Sequence, residues 1–138
     1  SLTALEGAIE RDGAYDLYID LHRDSYSSGN GANTARDGEK EMARLLFLVG
    51  KGTGQADAES RPDWEHNQKI ALFLSDALND QAPSLSRGAA LKNASYNQHA
   101  AKGCLLIEAG NNKNSLDEAL AAMPYLAQAI CRYFDTLD

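Results

Sequence analysis

The sequence predicts an α/β domain: a central, mostly parallel sheet with helices on both sides in three layers. Three observations carry that prediction. Short apolar runs of strand length alternate along the chain with longer stretches of helical periodicity. The runs end in glycine or in an ionisable residue, followed by loops rich in Ser, Asn and Gly. Length and composition agree, because 138 residues with 43% hydrophobic content suffice for one compact core. The expected organisation is therefore a single domain over residues 1–138.

The first element is a helix, since Leu2, Leu5 and Ile9 recur at helical spacing and Gly13 follows as a stop. No capping residue precedes it. A helix that starts without a cap reads as the interior of a larger domain, so an N-terminally truncated fold is expected. Tyr15 to His22 (Tyr-Asp-Leu-Tyr-Ile-Asp-Leu-His) is a strand with Leu17, Ile19 and Leu21 on one face and Tyr18 and Asp20 on the other. Ser25 to Lys40 has almost no apolar content and reads as a surface loop of the kind that carries function.

Met42 to Val49 is dense enough in apolar residues for a central strand, closed by Gly50, Gly52 and Gly54. A second loop runs to Pro62. Asp63 can cap a helix from Trp64 to about Asn79, with Ile70, Ala71, Leu74 and Leu78 turned inward. Ala89 to Tyr96 is a weaker strand near an edge, and Cys104 to Glu108 reads as the strongest buried strand of the chain, again ended by an ionisable residue. Ser115 with Glu118 forms a capping box. Leu116, Leu120, Met123, Ala127, Ile130 and Phe134 carry that helix to the C-terminus, with a kink or restart expected at Pro124.

Charge narrows the partners. Thirteen Lys and Arg against 20 Asp and Glu give a net charge of -7, and no basic run could neutralise a phosphate backbone, so nucleic acid is excluded as a partner. No apolar stretch reaches the roughly 20 residues a bilayer crossing needs. The two cysteines, Cys104 and Cys131, read as small buried hydrophobes, with a bridge between them left open.

Chemistry concentrates where apolar strands run into polar residues. His22 lies in Asp20-Leu21-His22-Arg23-Asp24-Ser25. It is either a solvated strand-end histidine or a metal ligand, and in the second case Asp20, on the same face, is the better orienting acceptor than Asp24. Glu108 closes Leu105-Leu106-Ile107-Glu108 and is either paired structurally or held with a raised pKa, as a general base requires. His99 can reach the same sheet edge or sit on a surface loop; His66, in a first helical turn, reads as solvated. Arg23 and Arg87 can clamp a substrate carboxylate, or form surface ion pairs. A phosphate loop, a dinucleotide fingerprint, a His-Glu-x-x-His helix and a nucleophile elbow are all missing.

These residues also carry a resemblance. Ile19-Asp20-Leu21-His22-Arg23-Asp24-Ser25 resembles the Asp-Leu-His-Arg-Asp motif of the stage II sporulation protein P family, within the zinc-dependent N-acetylmuramoyl-L-alanine amidases. Asp63-Trp64-Glu65, Leu85-Ser86-Arg87, Ala94-Ser95-Tyr96-Asn97-Gln98-His99, Leu105 to Gly110 and Asn114 to Ala119 follow in the family's order. The resemblance implies hydrolysis, by zinc-activated water, of the amide between N-acetylmuramic acid and L-alanine of the stem peptide, with endopeptidase action besides. It implies Zn2+ as cofactor, His22 as a zinc ligand, Glu108 as catalytic residue, and Asp20, Arg23, Asp24 and His99 as substrate-binding or supporting residues. The family's other zinc ligands lie in an earlier strand, before Ser1. Peptidoglycan is the implied substrate, stage II sporulation proteins D and M the implied partners, and the outside of the cytoplasmic membrane the implied location, with the anchor outside this chain. The alternative is a peptidoglycan-binding or scaffold domain that kept the fold without the chemistry.

Overall fold

A computed structural model describes residues 2–25, 33–54 and 61–138. In order these form α1 (Leu2–Asp12), β1 (Tyr18–Asp24), β2 (Thr34–Asp37), β3 (Lys40–Ala43), β4 (Leu45–Gly50), α2 (Trp64–Gln81), β5 (Ser86–Lys92), β6 (Cys104–Asn111) and α3 (Leu116–Asp135). The central sheet has the strand order β1-β6-β4-β5. β1 and β6 are parallel, β4 and β5 are parallel, but β4 runs against β6. The α/β class with flanking helices is as the sequence predicts, and the sheet is mixed.

The core lies between the sheet and the two long helices. Leu45, Phe47 and Val49 of β4 and Leu105, Ile107 and Ala109 of β6 meet Ile70, Ala71, Leu74 and Leu78 of α2. These are alternate strand positions, so one face of each strand supplies the core. Asp63 accepts the His66 N–H at 3.4 Å and starts α2 where expected. Ser115 and Glu118 complete the capping box of α3.

The inward stripe of α3 differs from the expectation. Ala122, Leu126, Ala129 and Tyr133 are buried, whereas Leu116, Leu120 and Phe134 are exposed. α3 is apolar on more than one side, and its small residues let α2 come close, so the alanine-bearing face wins. The helix is unbroken through Pro124, without the expected restart.

Two strand assignments also change. The polar stretch expected as a loop over 25–40 lies partly outside the described residues, and its described end forms the β2–β3 hairpin. Gly38-Glu39 makes its turn between the paired Asp37 and Lys40, with Gly38 at φ +61°. The expected strand 42–49 is broken at Arg44, whose N–H donates to Asn33 O and whose guanidinium donates to Ser84 O. The edge strand expected at 89–96 starts three residues earlier and ends at Lys92. Of the loop expected up to Pro62, 55–60 lie outside the described residues.

Cys104 is buried and Cys131 exposed, and both are free thiols. Cys131 is thus no core residue, because it lies on the outer side of α3. Among the described residues no helix is long and apolar enough to cross a membrane.

Candidate functional site

The parallel register of β1 and β6 places His22 directly beside Glu108. Both strands run the same way, so both polar ends arrive at one edge of the sheet. Two local features hold that edge. The register shifts between His22 and Asp24, and beyond the shift the Asn112 N–H donates to Asp24 O at 3.0 Å. Asn114 then accepts the Asn111 N–H at 2.8 Å, tying the turn after β6 back onto the strand.

Gly110 makes that turn possible. It stands at φ +69°, and a Cβ there would collide with the side chains of Asn114 and Ala43.

His22 Nε2 lies 2.8 Å from Asp20 Oδ1, the same-face neighbour two residues back along β1. With Nε2 donating to that carboxylate, Nδ1 carries the lone pair a metal requires. Both side chains are about half exposed, at 48% and 50%, so solvent or substrate can reach them.

Glu108 interrupts an otherwise buried strand. Burial pushes its carboxyl pKa up, and the charges of Asp24 and Asp20 push it further; His22 and Arg87 pull it down without cancelling the rise. Its Oε2 is buried with no hydrogen-bond partner among the described residues. A half-buried carboxyl with a raised pKa and an unpaired oxygen holds its proton more readily than an ordinary glutamate, as a group that accepts and then releases a proton requires.

The other sequence candidates fall in different places. Asp20 and Asp24 act on Glu108 electrostatically, whereas His99 is not among the charges that do. His99 follows a turn in which Tyr96 and Asn97 both have positive φ, and its Nδ1 is buried without a partner among the described residues. Arg23 lines a shallow apolar depression with Leu21, Leu116 and Leu120 beside the β1 edge. A cavity of about 440 Å³ lies further back along β1, between α1, Asp20, Gln98 and Cys104, and not over Glu108.

Sequence reasoning passed over Gln98. Its side-chain amide is fully buried and binds the β4 backbone as a neighbouring strand would: Nε2 donates to Leu48 O and Oε1 accepts the Gly50 N–H, each at 2.8 Å. Two consecutive residues with positive φ before it were the price of that insertion, and a polar Tyr-Asn-Gln-His stretch gives little signal of a buried amide.

Catalytic zinc takes three protein ligands. Among the described residues no group of three His, Cys, Asp or Glu side chains is placed to hold a metal, so His22 could supply one ligand of a site completed by other donors.

The structure is similar to that of the apo form of the N-acetylmuramyl-L-alanine amidase Ami1 from Mycobacterium abscessus, with a TM-score of 0.50, 20% identity, and coverage of 91% of this chain and 57% of that one. At that identity the likeness speaks for the fold. Stage II sporulation protein P of Bacillus subtilis (strain 168) is 34% identical over 105 residues, covering 72% of this chain and 24% of the relative, so the chain spans about a quarter of that protein's length. The family model described as Stage II sporulation protein P (SpoIIP) matches residues 1–131, and the chain belongs to that family.

Proposed function

We propose that this domain carries the proton-transfer half of a peptidoglycan amidase active site, hydrolysing the amide between N-acetylmuramic acid and L-alanine of the stem peptide during sporulation. The observation that carries the reading is the pairing of His22 and Glu108 across two parallel strands, with Asp20 on the imidazole and an open oxygen on the carboxylate. Family membership and the amidase-like fold support it.

In this reading Asp20 orients the His22 ring, and Nδ1 serves as one ligand of a zinc ion whose other donors lie outside the described residues. Zinc, when bound, supplies a Lewis acid for the scissile carbonyl. Glu108 takes a proton from the attacking water and delivers it to the departing L-alanine amine; its raised pKa suits both halves of that transfer. The proposed substrate sets the proposed location outside the cytoplasmic membrane, and stage II sporulation proteins D and M are the proposed partners there.

The test uses the full-length protein, assayed for zinc content and for release of stem peptides from purified peptidoglycan. His22→Ala should lose zinc and activity together. Glu108→Gln should keep zinc while turnover falls roughly a hundred- to ten-thousand-fold. Full activity in Glu108→Gln would remove Glu108 from the chemistry. A folded wild-type protein that binds peptidoglycan and releases no stem peptide would favour the scaffold alternative.

A further inference from the structure

β5 does not run in simple register beside β4. Leu45 pairs with Ser86 and Phe47 with Ala89, so Arg87 and Gly88 together stand opposite the single residue Leu46. Such a bulge re-aims a side chain, and bulges gather beside active sites. This one is firmly built. Gly88 takes φ +95° and donates its N–H to Ser86 Oγ at 3.0 Å. Ser86 Oγ also meets Ser75 Oγ of α2 at 2.7 Å, and the Ser86 N–H donates to Asn79 Oδ1 at 2.8 Å.

The place of the bulge gives it a target. Leu46 is the register partner of Glu108 on β4, and Glu108 is the partner of His22 on β6. One row thus crosses the sheet from His22 through Glu108 and Leu46 to Arg87. The Arg87 charge is felt at the Glu108 carboxylate, where the other charges acting are Asp24, Asp20 and His22. Among the charges acting on Glu108, Arg87 is thus the permanently cationic one, the others being two carboxylates and an imidazole.

We propose that Arg87 is the anion-binding arm of this site, taking a free carboxylate of the stem peptide in its guanidinium fork and so setting the scissile amide against Glu108. The proposal rests on the amidase reading for its choice of substrate. A guanidinium matches a carboxylate through two parallel N–H donors, which an ammonium cannot reproduce. Its role is to hold substrate, and proton transfer stays with Glu108.

The test compares two probes, muramoyl-L-alanyl-D-glutamate and its α-amide, muramoyl-L-alanyl-D-isoglutamine. Binding is measured by calorimetry in full-length Glu108→Gln protein, in which cleavage of the probes is slowed and is checked by recovering them intact. The acid should bind about ten- to a hundredfold more tightly than the amide. Adding Arg87→Ala should erase that preference, and Arg87→Lys should restore only part of it. In protein with Glu108 intact, Arg87→Ala should raise KM for the acid substrate with kcat little changed. Should Arg87→Ala fail to fold, Arg87→Gln carries the same expectation. An undiminished preference in a folded Arg87 variant overturns the proposal. Loss of kcat at constant KM also overturns it, as does failure of the acid probe to bind. Binding preference without any hydrolysis by the wild-type protein would instead sink the amidase reading and leave Arg87 as an anion site.

Discussion

β6 and β1 lie side by side in one sheet and could hardly differ more in surroundings. Every residue of β6 is buried except Glu108, whereas β1 has no buried residue at all. β6 is sandwiched between β1 and β4 with α2 and α3 over one face, so its apolar side chains carry the fold. β1 is an edge strand that leaves Ile19 and Leu21 exposed, with Leu21 next to Leu116 and Leu120 of α3. The proposed chemistry sits on the seam: Glu108 is the one gap in the buried strand, and His22 stands opposite it on the open one. Stability thus rests on the buried residues of β6, and the proposed chemistry on the half-buried Glu108 and the exposed His22 beside it. A register pair, Leu21 and Ile107, lets that division be tested.

The largest effect should come from the buried member. Ile107 is fully buried in the core cluster, and Ile107→Ala removes apolar contacts and leaves a cavity. The expected loss is about 2 to 5 kcal/mol, read from urea unfolding at constant slope. A loss below about 1 kcal/mol would mean that β6 is not the axis of the core.

How far this division was legible in the sequence depends on the element. α2 could be read in full, because Asp63 caps it and its single stripe of Ile70, Ala71, Leu74 and Leu78 leaves no choice of face. α3 could be started but not turned, since periodicity cannot choose between two apolar sides of a helix. The β2–β3 hairpin is hidden by its polar composition, and only Gly38 marks it. The direction of β4 depends on how the chain crosses over, which no local pattern records. His22 and Glu108 could be brought together because each ends an apolar run and their strands are parallel. The position of Arg87 could not be foreseen, because it depends on one extra residue in β5 and on the order of four strands.

The next contrast is chemical. Cys104 begins β6, and burial pushes its thiol up to about 11, while Cys131 is exposed on α3. Only thiolate reacts, so at pH 8 alkylation of the native protein should map by mass spectrometry to Cys131, with Cys104 at least tenfold slower. Unfolding should bring the two to similar rates. Equal labelling in the folded state would show that β6 opens readily.

A smaller effect is expected at Glu108 itself. Its folded pKa is raised above the ordinary 4.5, so the fold favours the protonated form. That contribution is complete below the unfolded value and is lost as pH rises through the raised folded one. Gln resembles the protonated carboxyl at every pH. Glu108→Gln should therefore match wild type in Tm near pH 4 and exceed it at pH 8. A lower Tm at pH 8 would mean that the carboxylate is structurally paired, and the reading of Glu108 as an open proton acceptor would fall.

The smallest effect should come from Leu21. It is 49% exposed, so truncation removes side-chain surface that water already reaches, and no closed cavity is left behind. Leu21→Ala should cost about 1 kcal/mol or less in the 138-residue chain, against several for its partner Ile107→Ala. The two substitutions share a sheet, a register position and nearly the same change in volume, so the ratio of their costs measures burial alone. Repeating the pair in full-length protein sharpens the comparison. If further polypeptide lies over the β1 edge there, the cost at Leu21 rises towards that at Ile107, while the cost at Ile107 stays where it was. A cost at Leu21 equal to that at Ile107 already in the 138-residue chain would break the division between the two strands.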